Sequence, residues 1–140
     1  MSMVIEDRLK RSELFAPLST GQWEQLRPGI VMQEVAKNGV LFSQGQPFTR
    51  LYFLDEGIFK LCLGIAEGGE KIVRIVKAGE TFATALMFLD RKTYPVTAQA
   101  IKESTIIGVD AVLFRRILTS SPELCMTLLG YLSQKLSMHL

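Results

Sequence analysis

The stretch GETFATALMFLDRKTYPVTAQA, Gly79 to Ala100, gathers the residues best suited to holding a ligand. A glycine and a glutamate open it. An apolar run from Leu86 to Leu89 follows, then the charged triplet Asp90-Arg91-Lys92, then Tyr94-Pro95. Elsewhere the chemistry is sparse. Cys62 and Cys125 lie far apart, form no CxxC and cannot gather zinc or an iron–sulfur cluster. Each sits among apolar residues and reads as a small buried hydrophobe, which suits a reducing compartment. The single histidine, His139, reads as an exposed surface residue. A cupin-type metalloenzyme needs two or three histidines and a carboxylate converging on one metal. No serine or cysteine nucleophile has a base to activate it. The expectation is a binding domain and not an enzyme.

Composition bounds the rest. A length of 140 residues suits one domain with a true core, and 48% hydrophobic content argues against disorder. Sixteen basic and 14 acidic residues leave a net charge of +2. Duplex-binding domains carry a basic stripe, because phosphate neutralisation supplies most of their non-specific affinity. Here Lys10-Arg11, Arg91-Lys92 and Arg115-Arg116 read as solvated surface. The charged opening MSMVIEDRLKRSE is no signal peptide, and no apolar run reaches the ~20 residues of a membrane span. A cytoplasmic protein without membrane contact is expected.

The elements that must position the 79–100 stretch follow from pattern. Ile5, Leu9 and Leu14 predict a short helix over 5–14. Ser19 with Gln22 makes a capping box, so a second helix runs through Trp23 and Leu26 to the Pro28-Gly29 stop. From Ile30 to Val109, short apolar runs alternate with turn signals: IVMQEVA, VLFSQG, LYFLDEG, IFKLCLGI, EKIVRIV, VTAQAIK and STIIGV. Phe59, Leu61, Leu63 and Ile65 share one face, with Lys60 and Cys62 on the other. AEGG reads as a hairpin turn. Ile72, Arg74 and Val76 oppose Val73 and Ile75. Gly57 and Lys102-Glu103-Ser104 read as breaks between strands. An antiparallel sandwich or barrel is predicted. Asp110 caps a helix over AVLFRRILTSS. Ser121-Pro122-Glu123 starts another, PELCMTLLGYLSQKLSMHL, with leucines at 124, 128, 132 and 136 and Leu129 and Tyr131 alongside. Neither glycine nor proline stops this helix before Leu140, which predicts a longer protein.

That order, helices, a small β-barrel with a helical insert, then a long apolar helix, resembles cyclic-nucleotide-binding domains. NGVLFSQGQPFTRLYFLDEGIFKLCL resembles the opening of the sensor domain in the CRP/FNR family of bacterial transcription regulators. The family's turn glycines fall on Gly39, Gly45, Gly57 and Gly79, and its apolar strand on Leu51-Tyr52-Phe53-Leu54. The resemblance implies a mainly β fold with flanking helices: an antiparallel β-barrel or jelly roll followed by a long carboxy-terminal dimerisation helix. It divides the chain into helices at 1–29, a barrel sensor core at 30–109 with a phosphate-cassette segment at 79–100, and carboxy-terminal helices at 110–140. A helix-turn-helix DNA-binding domain is expected beyond residue 140.

In nucleotide-binding members the 79–100 segment is the phosphate-binding cassette. A short helix offers backbone N–H groups to the cyclic phosphate, a glutamate takes the ribose hydroxyl, and an arginine with a neighbouring hydroxyl residue pairs with the phosphate. On this sequence the glycine before the glutamate falls on Ala83 and the glutamate on Thr84. The arginine falls on Tyr94, the hydroxyl residue on Pro95 and the next small residue on Val96. A buried cyclic phosphate is expected to meet no cation here, and Arg91 lies three residues too early, so cyclic AMP is not expected. The lining would be Phe82, Ala83, Thr84, Leu86, Met87, Tyr94, Pro95 and Val96, read either as a ligand pocket or as plain core.

TFATALMFLDRKTYPVTAQA and the opening ELFAPLS look most like the DNR branch, the nitric-oxide-responsive denitrification regulators. That likeness implies haem in an apolar pocket. Met87 and Tyr94 carry atoms that can ligate iron, but both residue types commonly just fill space, so the axial ligand is left unassigned. The iron–sulfur chemistry of FNR itself is excluded, because no cysteine precedes Cys62. Leu124, Leu128, Tyr131, Leu132 and Leu136 are expected to form the dimer helix. The implied function is effector sensing, with a small-molecule effector, a homodimer, and DNA bound only through the further domain. The alternatives are a ligand-free dimerisation module, a true cyclic-nucleotide-binding regulatory domain, and the regulatory domain of a channel or kinase.

Overall fold

A computed structural model describes residues 2–64 and 68–137. The first helix, α1 (Ser2–Leu9), stops earlier than the pattern predicted. Ser12 ends it: its N–H donates to the Leu9 carbonyl, and its carbonyl accepts from Phe15 and Ala16, so the chain turns through 10–17. The Ser19–Gln22 capping box forms as read and opens α2 (Thr20–Leu26); a 3₁₀ turn, Arg27–Gly29, leads into the sheet.

The sheet comprises β1 (Ile30–Val35), β2 (Val40–Phe42), β3 (Arg50–Gly64), β4 (Glu70–Lys77), β5 (Thr81–Phe82) and β6 (Thr97–Asp110). All pairings are antiparallel, in the order β1-β6-β3-β4, with β2 added to β6 and β5 to β3. The predicted break at Gly57 is corrected: β3 runs through it as one strand. The break at Lys102-Glu103-Ser104 is corrected in the same way within β6. The two strands pair along their length with register shifts at Leu54/Glu56, Glu56/Ile58 and Ile58/Phe59. Gly57 has φ +113°, and a Cβ there would sit 2.0 Å from Ser104 Oγ. It is a bulge where two long strands bend against each other, not a turn.

This bend gives the molecule two cores. Alternation along β3 sends Leu51 and Phe53 to the helical side, where they meet Leu9, Phe15, Trp23, Leu26 and Phe114. It sends Tyr52, Leu54, Phe59 and Leu61 into the barrel with Phe42, Phe82 and Tyr94. Each fully buried Phe or Leu contributes about 1.5–3 kcal/mol. On the helical side, Asp55 is buried and ion-paired with Arg8, with Arg11 at 3.9 Å, and Arg27 donates to Glu6 at 2.5 Å, tying α1 to the domain. Strand β4 departs from the expected alternation. Only Val76 is buried, and Ile72, Val73 and Ile75 are exposed on this edge strand. Cys62 is buried despite the expected outward face, because the β3–β4 register shifts between Leu61 and Cys62.

Asp110 caps α4 (Ala111–Thr119), its side chain accepting from Leu113 N–H. The Ser121 hydroxyl does the same for Leu124 N–H at the start of α5 (Pro122–Ser137). Ile65 and the first half of the AEGG turn, Ala66 and Glu67, and also His139, fall outside the described residues. Among the described residues no helix is long and apolar enough to cross a membrane.

Candidate functional site

The 79–100 segment carries three backbone positions with positive φ, Gly79, Ala83 and Asp90, and the first two set up its start. Gly79 (φ +91°) turns the chain so that its N–H reaches the Leu54 carbonyl at 2.7 Å, while Leu54 N–H returns to Glu80 at 3.0 Å. This docks β5 on β3. Ala83 then takes φ +64°, the left-handed region that favours glycine, and launches the one-turn helix α3 (Thr84–Phe88). The position matched to a family glycine thus keeps a glycine's backbone with an alanine side chain. After α3 the chain comes back through Tyr94, whose N–H donates to Gln46 and whose carbonyl accepts from Gly45 N–H.

A cavity of about 670 Å³ lies between this segment, the barrel mouth and α5. That volume falls within the ~300–1,000 Å³ usual for small-molecule sites. Phe82, Ala83, Thr84, Leu86, Tyr94, Pro95 and Val96 all line it. Met87 does not, which corrects its expected place in the lining: its side chain is buried on the helical side among the core residues around Phe114. The far wall comes from α5, through Leu128, Tyr131, Leu132 and Lys135, with Ser12 and Leu14 closing one end.

Tyr94, which the family resemblance sets against an arginine, has its ring and hydroxyl engaged within the domain. Its ring stacks on Phe42 at 3.8 Å between centroids, 11° from parallel. Its hydroxyl donates to the Arg50 carbonyl at 2.9 Å and accepts from Arg50 N–H at 3.2 Å. It braces the cassette onto β3 and has no free oxygen for a metal. Burial and the adjacent Tyr94 push the neighbouring Tyr52 phenol well above its ordinary pKa, so that ring stays neutral.

The cassette residues that line the cavity include no cation, but two cations reach it from outside the cassette. Arg74 reaches it from β4, just before the cassette in sequence, and Lys135 from α5, well after it. Arg74 donates to the Thr81 carbonyl at 3.1 Å and lies 3.8 Å from Glu80. Lys135 sits 5.2 Å from the centre of the Tyr131 ring. The Tyr131 hydroxyl, and behind it Glu13 and Glu80, hold its pKa above the usual lysine value, so it is cationic at neutral pH. One polar atom in the wall, Thr84 Oγ1, is buried without a hydrogen-bond partner among the described residues. Arg91 lines a separate hollow of about 170 Å³ beside Asp90 and Arg115 and not this cavity.

The helix α5 has two apolar faces where the sequence suggested one stripe. Leu124 and Leu128 are buried against their own domain, each 4% exposed. Tyr131 faces the cavity. Leu129, Leu132 and Leu136 are 55%, 48% and 69% exposed, spaced by three and four residues as along a coiled-coil seam. Leu129 was seen beside the stripe but not singled out. Leu132 belongs to both the seam and the cavity wall. Among the described residues no group of three or more His, Cys, Asp or Glu gathers as a metal site.

Comparison with known proteins agrees with this architecture. The family model of the cyclic nucleotide-binding domain matches residues 32–121. The crystal structure of the sensor domain of the transcriptional regulator DNR from Pseudomonas aeruginosa superposes with a TM-score of 0.85 at 32% identity, covering 99% of this chain and 92% of that one. The longer DNR structure from the same organism gives a TM-score of 0.90 at 32% identity, with 97% of this chain and 60% of that one covered. Among curated sequences, patatin-like phospholipase domain-containing protein 6 of Mus musculus is 30% identical over 100 residues, and the match covers 67% of this chain but only 7% of that protein.

Proposed function

We propose that this chain, which belongs to the cyclic nucleotide-binding domain family, is the effector-sensing domain of a CRP/FNR-type transcription regulator, responding to nitric oxide through haem held in its apolar cavity. The observation that carries the reading is the cavity itself, about 670 Å³, walled on one side by the cassette and on the other by α5. Tyr94 and Pro95 stand where nucleotide-binding relatives have an arginine and a hydroxyl, and the Tyr94 hydroxyl is consumed by Arg50. A cyclic phosphate seated in the cassette would forgo a charge-assisted contact of about 1.5–3 kcal/mol.

The lining suits haem in size and polarity. Phe42, Phe82 and Tyr94 offer ring faces, and Leu61, Leu86 and Leu128 offer aliphatic contact to a flat macrocycle. Met87 is buried elsewhere and the Tyr94 hydroxyl is hydrogen-bonded to Arg50, so neither would be free to hold an iron. Tyr131, a residue type that ligates haem iron, lines this wall and would have to release Lys135 to hold one. When bound, haem would supply an iron that takes up nitric oxide. The chain's own part is to seat the ring, exclude water and transmit the change. A ligand touching Leu128, Tyr131 and Leu132 bears directly on α5. The exposed Leu129, Leu132 and Leu136 would pack against a second copy, so occupancy would shift the dimer wherever the ligand binds its two arrangements unequally. A DNA-binding domain following the chain would read that shift.

Haem titration monitored by absorbance tests the reading. Saturable binding with a Soret band that moves on adding nitric oxide is expected, and Tyr131→Phe should change the ferric spectrum. No saturable binding at micromolar haem would sink it. Calorimetry with cyclic AMP should show no heat of binding. The double substitution Leu129→Lys and Leu136→Lys should turn a dimer into a monomer in sedimentation experiments without unfolding the domain.

A further inference from the structure

The cassette residues of the cavity wall carry no cation, but Arg74 and Lys135, from outside the cassette, line the same cavity. Arg74 comes from strand β4 and Lys135 from helix α5, and both line a cavity whose other walls are mostly apolar. Glu80 acts on both: it lies 3.8 Å from Arg74 and adds to the attraction on Lys135. Glu13 faces Lys135 as well. Arg74 is thus already paired with a carboxylate at the rim, while Lys135 leans on Tyr131. A third polar element, Thr84 Oγ1, is buried in the wall with its hydrogen-bonding capacity unused among the described residues. This is the arrangement of an amphipathic site: an apolar chamber, a cationic rim and a hydroxyl inside.

We propose that the cavity selects apolar carboxylates, with the apolar body against the cassette and barrel and the carboxylate held between Arg74 and Lys135. The anion anchor has moved from the cassette to the junction of β4 and α5. The incoming carboxylate takes the place of Glu80 on Arg74 and joins Lys135, so it binds strand and helix together. Because Lys135 stands one turn from Leu132, which lies on the exposed seam, the carboxylate acts on α5 at the residues beside that seam. The proposal rests on this cavity being the effector site, but not on the effector being haem. Haem, with two carboxylates on a flat ring, and a long-chain fatty acid are two sources of the same chemistry.

Calorimetry with four probes separates the possibilities: haem, haem dimethyl ester, palmitate and methyl palmitate. At least one free acid should bind about tenfold more tightly than its own ester, as expected for two partly exposed ion pairs. That preference should weaken with added salt and vanish in Arg74→Ala/Lys135→Ala, with the ester's affinity unchanged. Circular dichroism confirms folding, and Arg74→Lys/Lys135→Arg should retain the preference. Equal binding of haem and its ester, with no acid preference for palmitate, would overturn the anchor while leaving haem sensing intact. Palmitate preferred over its ester without any haem binding would end the haem reading and keep the anchor. An acid preference that survives the double alanine variant, or no binding by any of the four, would overturn the proposal.

Discussion

The two cores of this domain are made from alternate residues of the same strands and do different work. On the helical side Leu51, Phe53, Ile107 and Val109 meet Phe15, Leu26 and Phe114, and the aromatic pair Phe15–Phe114 packs at 5.0 Å between centroids. On the barrel side Tyr52, Leu54, Phe59 and Ile106 meet a chain of stacked rings, Phe42, Tyr52, Phe82 and Tyr94, that ends at an open cavity. One core is filled to hold α1, α2 and α4 in place. The other is left incomplete beside the 79–100 segment. Substitutions in the first should cost stability, and those in the second should cost binding.

The sharpest break is Phe114→Ala, which empties a fully buried site and should cost about 3–5 kcal/mol in urea denaturation. Leu86→Ala enlarges a space that already exists and should cost less than about 1.5 kcal/mol while weakening ligand binding. Equal losses from the two would erase the distinction. Tyr94→Phe keeps the stack on Phe42 but leaves Arg50 N–H and carbonyl without their partner. It should cost about 1–3 kcal/mol yet leave haem affinity unaltered, since the hydroxyl faces β3. Ala83→Gly removes a side chain from a left-handed backbone and should add about 0.5–1 kcal/mol, read as a rise in melting temperature. A loss of stability would mean that the alanine methyl group contributes more than its backbone costs. The smallest effect belongs to the exposed Lys60–Glu70 pair. Lys60 holds Glu70 below its ordinary carboxylate pKa, so the pair's stabilisation is present above that ordinary value and fades as pH falls through the depressed one. Glu70→Gln should leave the neutral-pH melting temperature almost unchanged and flatten only this acid-side loss.

Local signals were legible in the sequence. The Ser19–Gln22 box, the Asp110 cap and the Ser121 start each depend on residues a few positions apart, and each formed as read. The antiparallel fold was legible from alternation and the order of turn glycines. What the sequence hid depends on distance. Gly57 looks like a turn until Ser104 is placed against it, so one bulged strand was read as two. Met87 lies in the same apolar run as Leu86, but the single turn of α3 sends neighbouring side chains to opposite cores. The cations of the cavity are not legible within the cassette, because Arg74 and Lys135 come from a strand and a helix that meet only in the folded chain. The leucine stripe of α5 was visible, but its division between its own domain and an exposed seam needed the position of the barrel.

The most direct test of the central claim, that the cassette and α5 enclose one effector cavity, is a backbone amide nuclear magnetic resonance map of the chain titrated with haem. Paramagnetic broadening should concentrate at Ala83, Thr84 and Leu86 and at Leu128, Tyr131 and Leu132, and should spare Phe15, Leu26 and Phe114 in the filled core. Broadening confined to other surfaces, or reaching the helical core before the cassette, would contradict it.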